Sequence, residues 1–239
     1  MRLTIFSLFL VLLLAFSATA QVNFGIKAGA NMAKITGDGW DDVEDFVEAS
    51  IDSKFKMGFA FGLTAEMPLG EGGFAIQPEV LYVMKGGKGD MTIEGYDITA
   101  EIKQDYVEIP VLFKYNLQTE GSVAPSFFAG PVVAFNVASK VEWDGIPAEA
   151  PEDEVPPDGD IENNKSVDFG VTFGGGVGMA VGETGKLTFD LRYTLGLTEI
   201  FDDVSPDEYT ENGVFMTDDN DAGLAFKNSD IRLMVGFFF

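Results

Sequence analysis

Eight segments of the chain alternate between large apolar residues and small or polar ones. They are 11–15 residues long and span 22–32, 55–67, 74–84, 104–115, 124–138, 167–179, 187–197 and 228–239. Period-two alternation puts the large apolar side chains on one face of an extended strand. Strands in soluble proteins are commonly about five or six residues long, whereas a tilted strand that crosses a bilayer needs about 9–11. The pattern therefore predicts eight strands that are long enough to cross a membrane.

The connections between these segments alternate in length. The short ones are 68–73, 116–123 and 180–186. The long ones are 33–54, 85–103, 139–166 and 198–227. Short turns at one end and long loops at the other are typical of barrels in the bacterial outer membrane. We therefore predict an all-β fold, an eight-stranded antiparallel up-and-down transmembrane β-barrel with four long extracellular loops and both termini in the periplasm.

Acidic residues are concentrated in the long connections. The chain has 39 Asp and Glu against 15 Lys and Arg, which gives a formal charge of −24. Three of the long connections carry most of these acids: Asp38, Asp41, Asp42, Glu44, Asp45, Glu48 and Asp52; Glu142, Asp144, Glu149, Glu152, Asp153, Glu154, Asp158, Asp160 and Glu162; and Glu199, Asp202, Asp203, Asp207, Glu208, Glu211, Asp218, Asp219 and Asp221. No basic stripe is available to neutralise phosphates, so the charge argues against nucleic acid as a partner.

The two faces of the strands differ in side-chain size, and this difference bears on their orientation. A soluble lipocalin-like barrel would turn the large apolar face inward. The interior of a small eight-stranded barrel has little room beyond its own side chains, and the apolar face carries many phenylalanines. The opposite face is mostly small: Gly25, Gly29, Gly58, Ala60, Gly62, Gly170, Gly174, Gly176 and Gly178. This asymmetry favours a barrel with its apolar face towards lipid.

Charges of both signs share the small-residue face. By parity these are Lys27, Lys56, Glu66, Glu79, Glu108, Lys114, Asp168, Asp190, Arg192, Asp230 and Arg232. Because buried charges are costly unless they are paired, we predict a lumenal charge network. It joins Glu79 and Glu108 to Lys114, Arg192 and Arg232, and it serves as a plug that fixes the packing. A catalytic or ion-conducting role is the alternative.

The first twenty residues have the pattern of a secretory signal peptide. Arg2 provides a positive start, an apolar run follows from residue 3 to residue 16, and Ala18, Thr19 and Ala20 fit the small-residue pattern before a cleavage site. We therefore expect residues 1–20 to be cleaved and residues 21–239 to form the barrel domain. The alternative is an uncleaved N-terminal anchor helix.

Two residue types that are common in catalytic and metal sites are absent from the sequence. The chain has no histidine and no cysteine, whereas a serine nucleophile needs a neighbouring base. We therefore expect a non-enzyme without a cofactor. Asp218, Asn220 and Asp221 partly resemble a calcium loop, but Ser229 stands where that loop has its twelfth-position glutamate. They are the only metal candidates, and we expect no defined metal site.

Two strand motifs resemble those of a known family. The first is residues 77–82, Gln-Pro-Glu-Val-Leu-Tyr, followed by Lys85-Gly86-Gly87, and the second is residues 106–115, Tyr-Val-Glu-Ile-Pro-Val-Leu-Phe-Lys-Tyr. Both are similar to the PorT-like outer-membrane β-barrel proteins of Bacteroidetes-type bacteria. Weaker similarities include residues 129–131, 192–197 and the aromatic C-terminus. The resemblance implies an OmpA-like outer-membrane barrel, with Phe239 as part of the signal read by the barrel-assembly machinery.

These expectations leave three hypotheses for function. The leading one is a structural or interaction barrel whose belt in the outer-membrane lipid anchors acidic loops for contact with a partner or the envelope. The second is a narrow transport or ligand-uptake barrel. The third is an accessory component of a protein secretion system, which rests on the resemblance alone.

Overall fold

The computed structural model describes residues 22–37, 51–93, 96–146, 158–161, 164–201 and 226–239. These residues form ten strands: β1 (Asn23–Thr36), β2 (Ile51–Lys54), β3 (Lys56–Pro68), β4 (Phe74–Ile93), β5 (Tyr96–Asn116), β6 (Val123–Asp144), β7 (Gly159–Asp160), β8 (Val167–Val181), β9 (Gly185–Gly196) and β10 (Lys227–Phe238). No helix within these ranges is long and apolar enough to cross a membrane. The predicted signal peptide at 1–20 and the predicted start at Gln21 lie outside them.

Eight of the strands close into a ring. Neighbours pair antiparallel in the order β1, β3, β4, β5, β6, β8, β9, β10, and β10 returns to pair with β1. At the closing seam Gly25 lies opposite Phe238, and Thr36 lies opposite Lys227. Each long strand therefore pairs with its neighbours along the chain. The prediction of an eight-stranded up-and-down barrel is confirmed.

The two ends of the barrel differ. Three short connections, 69–73, 117–122 and 182–184, lie at one end, which we call the turn-side end. The chain leaves the barrel at the same end, where the Phe239 amide donates to the Phe24 carbonyl at 2.9 Å. The opposite end, where β1 stops at Thr36 and β10 starts at Lys227, is the loop-side end.

The large apolar side chains point outward, as predicted. Phe59 is 67% exposed, Leu191 is 58% exposed and Phe61 is 55% exposed. Aromatic pairs form on this outer face across neighbouring strands, with ring centroids 5.4 Å apart for Phe61 and Tyr82 and 4.8 Å apart for Phe74 and Tyr115. Strands that bury their polar side and expose their apolar side suit hydrocarbon rather than water as the surrounding medium.

Residues 85–103 correct one sequence prediction. They were expected to form a long loop, but β4 continues to Ile93 and β5 begins at Tyr96. The two strands pair up to Ile93 and Tyr96, so only residues 94–95 connect them. β6 likewise continues to Asp144, with β2 paired to β4 and β7 paired to β6. We call the loop-side parts of β4, β5 and β6, together with β2 and β7, the outer extension.

A glycine with an unusual backbone conformation marks the start of the outer extension in β4. Gly86 has a φ of 119°, in the left-handed region that favours glycine. A Cβ at this position would meet the Ile102 carbonyl oxygen at 1.9 Å. On the other side of β5 the register with β6 shifts between Asp105 and Tyr106. A β-bulge of this kind bends and twists a strand pair, so both irregularities lie at the boundary between the barrel and the outer extension.

The inward face of the outer extension has an apolar core of its own, which we call the apolar cap. It consists of Ile35, Ile51, Met91, Ala100, Ile200 and Phe226, all buried. Ile98, Ile102, Trp143 and Phe201 pack against it. Ile200 and Phe226 come from the two described edges of the last long connection, and the Ile200 amide donates to the Phe226 carbonyl at 2.9 Å. The cap therefore joins the loop-side ends of β1, β4 and β5 to the two edges of the last long connection.

Candidate functional site: the lumenal charge network

The inward face of the barrel holds charged side chains in three layers. The middle layer is formed by Lys27, Glu79, Asp190 and Arg192 from β1, β4 and β9. Arg192 Nη1 lies 2.6 Å from Glu79 Oε2, and Arg192 Nη2 lies 3.1 Å from Asp190 Oδ2. Lys27 Nζ lies 3.0 Å from Glu79 Oε1 and also contacts Asp190. All four residues are buried.

The loop-side layer repeats this arrangement with different residues. Arg232 donates to both oxygens of Glu108, at 2.6 and 2.9 Å, in a two-pronged contact. It also donates to Asp230, with Nε 2.5 Å from Oδ1. Lys85 Nζ lies 2.5 Å from Glu108 and 3.3 Å from Asp230. Planar guanidinium groups suit such two-pronged carboxylate contacts better than ammonium groups do.

The turn-side layer is built on Glu66. Lys114 Nζ lies 2.9 Å from one carboxylate oxygen of Glu66, and Lys186 Nζ lies 2.7 Å from the other. Gln77 connects this layer to the middle one, because it accepts a hydrogen bond from Lys114 at 3.1 Å and donates one to Glu79 at 2.6 Å. Both lysines lie over the ring of Phe238.

The five residues of the predicted network all lie on the inward face, where they are divided among the three layers. Glu79 pairs with Arg192, and Glu108 pairs with Arg232. Lys114 forms its ion pair with Glu66 and reaches Glu79 only through Gln77. The predicted set is therefore three connected groups rather than one direct contact cluster.

Three cations of the layers are outside the predicted network: Lys27, which parity already places on the inward face, and Lys85 and Lys186, which it does not. Lys85 was placed in a loop and Lys186 in a turn. Lys85 continues the inward parity of Gln77 and Glu79 along β4, so extending the alternation by one residue would have found it. Lys186 is the second residue of β9 and follows the parity of Asp190. With both included, every acid of the three layers has a cation at ion-pair distance.

A layer of mostly neutral polar groups separates the charges from the apolar cap. Asn228 donates to Gln104 at 3.0 Å and to the Tyr106 hydroxyl at 3.1 Å. Gln104 donates in turn to Asn164 at 2.9 Å, and Asn164 contacts Ser139. The bonds tie β10, β5 and β6 to a residue of the third long connection. Below this layer Asp168 accepts a hydrogen bond from Thr198.

Outward side chains of the outer extension form ion pairs between strands. Lys88 Nζ lies 2.8 Å from Glu101, while Lys54 contacts Asp90 and Lys103 contacts Glu142. The hydrogen bond from Lys54 holds the pKa of Asp90 below its ordinary value. The outward face of these strands is therefore charged in the outer extension and apolar nearer the turn-side end. The change marks where the surrounding medium changes from hydrocarbon to water.

Within the described ranges, no group of three or more Asp or Glu side chains is arranged to hold a metal ion. The weak calcium candidates Asp218, Asn220 and Asp221 lie outside those ranges. The contacts within the three layers are ion pairs and the hydrogen bonds of Gln77, which join strands across the lumen.

A family model for the outer membrane protein beta-barrel domain matches residues 16–202. The match covers most of the chain. The chain belongs to this family. Its barrel therefore lies in the bacterial outer membrane, with the apolar outer face as its lipid-contacting belt.

Solved structures of small barrels resemble the chain at low identity. The Neisserial surface protein A, NspA, is 14% identical with a TM-score of 0.45, covering 91% of this chain and 97% of its own. Ail of Yersinia pestis, solved with the heparin analogue sucrose octasulfate, is 11% identical with a TM-score of 0.39, covering 92% and 99%. The N-terminal barrel domain of Pseudomonas aeruginosa OprF is 11% identical with a TM-score of 0.35, covering 92% and 100%. A search of curated proteins found no match.

Proposed function

We propose that the protein is a non-conducting, non-enzymatic barrel that anchors its acidic loops at the cell surface for contact with a partner or the envelope. The observation that carries the proposal is the filled lumen. Three layers of ion pairs, a polar layer and the apolar cap follow one another from the turn-side end to the loop-side end. In a barrel with a filled lumen, the loop-side end can bind a partner, whereas the lumen cannot conduct solutes.

The charge distribution supports the interaction role. Every Lys and Arg after Arg2 falls within the described ranges, where most are committed to ion pairs. The segments 38–50, 147–157 and 202–225 contain many acids and no Lys, Arg or His. A strongly negative surface attracts cationic partners and repels anionic ones. The partner we propose therefore presents positive charge, from a basic protein surface or from divalent cations at the envelope.

The orientation follows from the same proposal. The acidic segments join strands at the loop-side end, and both ends of the barrel domain lie at the turn-side end. Outer-membrane barrels have short turns in the periplasm and longer loops outside. We place both termini in the periplasm and the outer extension outside the cell. Protease added to intact cells is expected to cut the chain within 38–50 or 202–225; cleavage only after the outer membrane is broken would contradict this orientation.

We propose that the protein is not an enzyme because the sequence lacks the residues that most often act as a base or a nucleophile. The full sequence has no histidine to act as a base and no cysteine to act as a nucleophile. The acids and cations of the three lumenal layers form ion pairs with one another. The PorT-like resemblance of residues 77–82 and 106–115 is a finer family assignment that fits the same proposal.

Single-channel recording tests the non-conducting claim. We expect no steady conductance when the purified barrel is added to a planar bilayer. The comparison variant is Arg192→Ala with Arg232→Ala, which removes the two largest fully buried side chains of the lumen; a higher current through this variant than through the wild type would locate the barrier at the charged layers. Steady current from the wild-type barrel would contradict the proposal.

A loop variant tests the interaction role separately. Asp and Glu of 38–50, 147–157 and 202–225 are replaced by Asn and Gln, with the barrel left unchanged. We expect cross-linked complexes formed in intact cells by the wild-type protein to disappear with this variant, while its insertion is unchanged. Recovery of the wild-type barrel always alone would contradict the interaction role.

A further inference from the structure

The lipid belt has a sharp loop-side edge. On β4 the outward residues change from Tyr82 and Met84 to Lys88 and Asp90, and the Tyr82 hydroxyl donates to Asp105 at 2.6 Å. Tyrosine is enriched at membrane–water interfaces, where its ring is in the apolar part and its hydroxyl reaches polar groups. The level of Tyr82 therefore marks the height at which lipid headgroups surround the barrel.

Two lysines lie just beyond this edge on the neighbouring strands β1 and β10. Met32 and Ile231, both 39% exposed, are the last large apolar outward residues of these strands. Lys34 follows Met32 on the outward face of β1, and Lys227 lies on the same face of β10. Below them Met57 of β3 is 64% exposed and extends the apolar surface.

These two lysines differ from the other outward cations. Lys54, Lys88, Lys103, Lys140 and Lys165 each lie within ion-pair distance of an acid. Neither Lys34 nor Lys227 forms an ion pair with any residue in the described part of the chain, and the remaining unpaired lysine there, Lys56, is buried. Lys34 instead lies over the Phe55 ring, with Nζ 5.9 Å from its centroid.

The register makes the two lysines neighbours across the seam between β1 and β10. Lys34 is opposite Ser229, and Lys227 is opposite Thr36, so the lysines are diagonal neighbours across the seam. Diagonal positions are about 7–8 Å apart, within reach of long side chains. Two long cationic side chains at diagonal positions can both reach a single anion at the seam.

We propose that Lys34 and Lys227 bind the phosphate of an outer-leaflet lipid headgroup, whose acyl chain lies on Met32, Ile231 and Met57. The height of the pair, its lack of protein partners in the described ranges and the apolar surface beneath it all fit a molecule that is anionic at one end and apolar at the other. This site is independent of whether the acidic loops recruit a partner.

Native mass spectrometry of the full barrel in neutral detergent tests the site. The probes are dioleoyl phosphatidic acid, dioleoylglycerol as the same lipid without phosphate, and inorganic phosphate as a competitor. The test variant is K34Q/K227Q, and the matched control is K54Q/K140Q, which removes the same charge from two exposed lysines of the outer extension. K34R/K227R keeps the charge, and the gel shift on heating verifies that each variant is folded.

The wild type, the matched control and the arginine variant are expected to retain phosphatidic acid. The glutamine variant is expected to bind it about thirtyfold more weakly, since two lysines that each contribute about 1 kcal/mol near an anionic lipid together contribute about 2 kcal/mol. Equal binding by wild type and K34Q/K227Q would overturn the proposal. So would equal retention of dioleoylglycerol, or full displacement of the lipid by an equal concentration of inorganic phosphate, which would indicate a site for the free ion.

Discussion

At the scale of single residues, the charged side chains of the lumen share partners, so that removing one of them leaves buried charges without a full set of ion pairs. Arg232 serves both Glu108 and Asp230, and Lys85 serves the same two acids. Parity alone predicted that Glu108 and Arg232 point inward. Which acid each cation meets could not be predicted, because it depends on how far each strand is shifted against its neighbour.

Replacing Arg232 by Met should destabilise the barrel. The change leaves Glu108 and Asp230 buried with Lys85 as their remaining cation, and breaking a buried pair costs about 3–5 kcal/mol. Urea unfolding in lipid vesicles measures the loss. Adding Glu108→Gln to the same chain should recover part of the stability, and a double variant as unstable as the sum of the single ones would contradict a direct pairing.

A glycine in the wall makes room for the network. A Cβ at Gly174 would meet Phe128 Cε2 at 2.9 Å and Arg192 Cα at 2.8 Å, and Arg192 lies over the Phe128 ring. Gly174→Val should therefore lower the free energy of unfolding by about 1–3 kcal/mol, the usual cost of overpacking. Gly121→Val is the control, because a Cβ there meets nothing within 4 Å. Equal stability of the two variants would show that the lumen is loosely packed.

At the scale of strands, alternation predicted all eight membrane-crossing elements but not the outer extension. Residues 85–90 read as a loop because glycines and charges interrupt the apolar face. The apolar pattern stops because the strand passes from lipid into water, and not because the chain turns. The outward face of this part of β4 is exposed to water, and Lys88 forms an ion pair with Glu101 of β5. The signal that remained was on the inward face, where Ile98, Ala100 and Ile102 alternate towards the apolar cap.

The apolar cap should stabilise the outer extension locally. Met91→Ala removes a buried side chain of the cap, and such truncations cost about 2–5 kcal/mol. Amide exchange is expected to rise in residues 88–93 and 98–102 and to stay unchanged in residues 76–82, which lie within the lipid belt. A uniform rise across β4 would show instead that the extension and the barrel unfold as one unit.

The lipid belt should reject charge where the outer extension tolerates it. Leu191 is 58% exposed on the outward face, and arginine near the bilayer midplane costs about 2–4 kcal/mol. Leu191→Arg should reduce the folded fraction on insertion into vesicles. Thr92→Arg, exposed in the outer extension, should fold as the wild type does. Similar folding of the two variants would place Leu191 outside the membrane.

At the scale of the whole molecule, the barrel reverses the arrangement of a soluble protein. Its paired charges are inside, its apolar side chains are outside, and water meets it at the two ends. Composition and alternation were enough to predict this inversion, since the apolar face was too bulky for the interior. The loop-side closure could not be predicted, because Ile200 and Phe226 lie 26 positions apart and meet only through the fold.

Spin labels on single cysteines test the inversion most directly. The chain has no native cysteine, so labels can be placed at Leu191 and Val80 on the outward belt and at Lys88 in the outer extension. In reconstituted bilayers we expect the belt labels to be relaxed by dissolved oxygen and protected from a water-soluble nickel chelate, with the reverse at Lys88. Relaxation of the Leu191 and Val80 labels by the nickel chelate would mean that water bathes the apolar face, and the account would be contradicted.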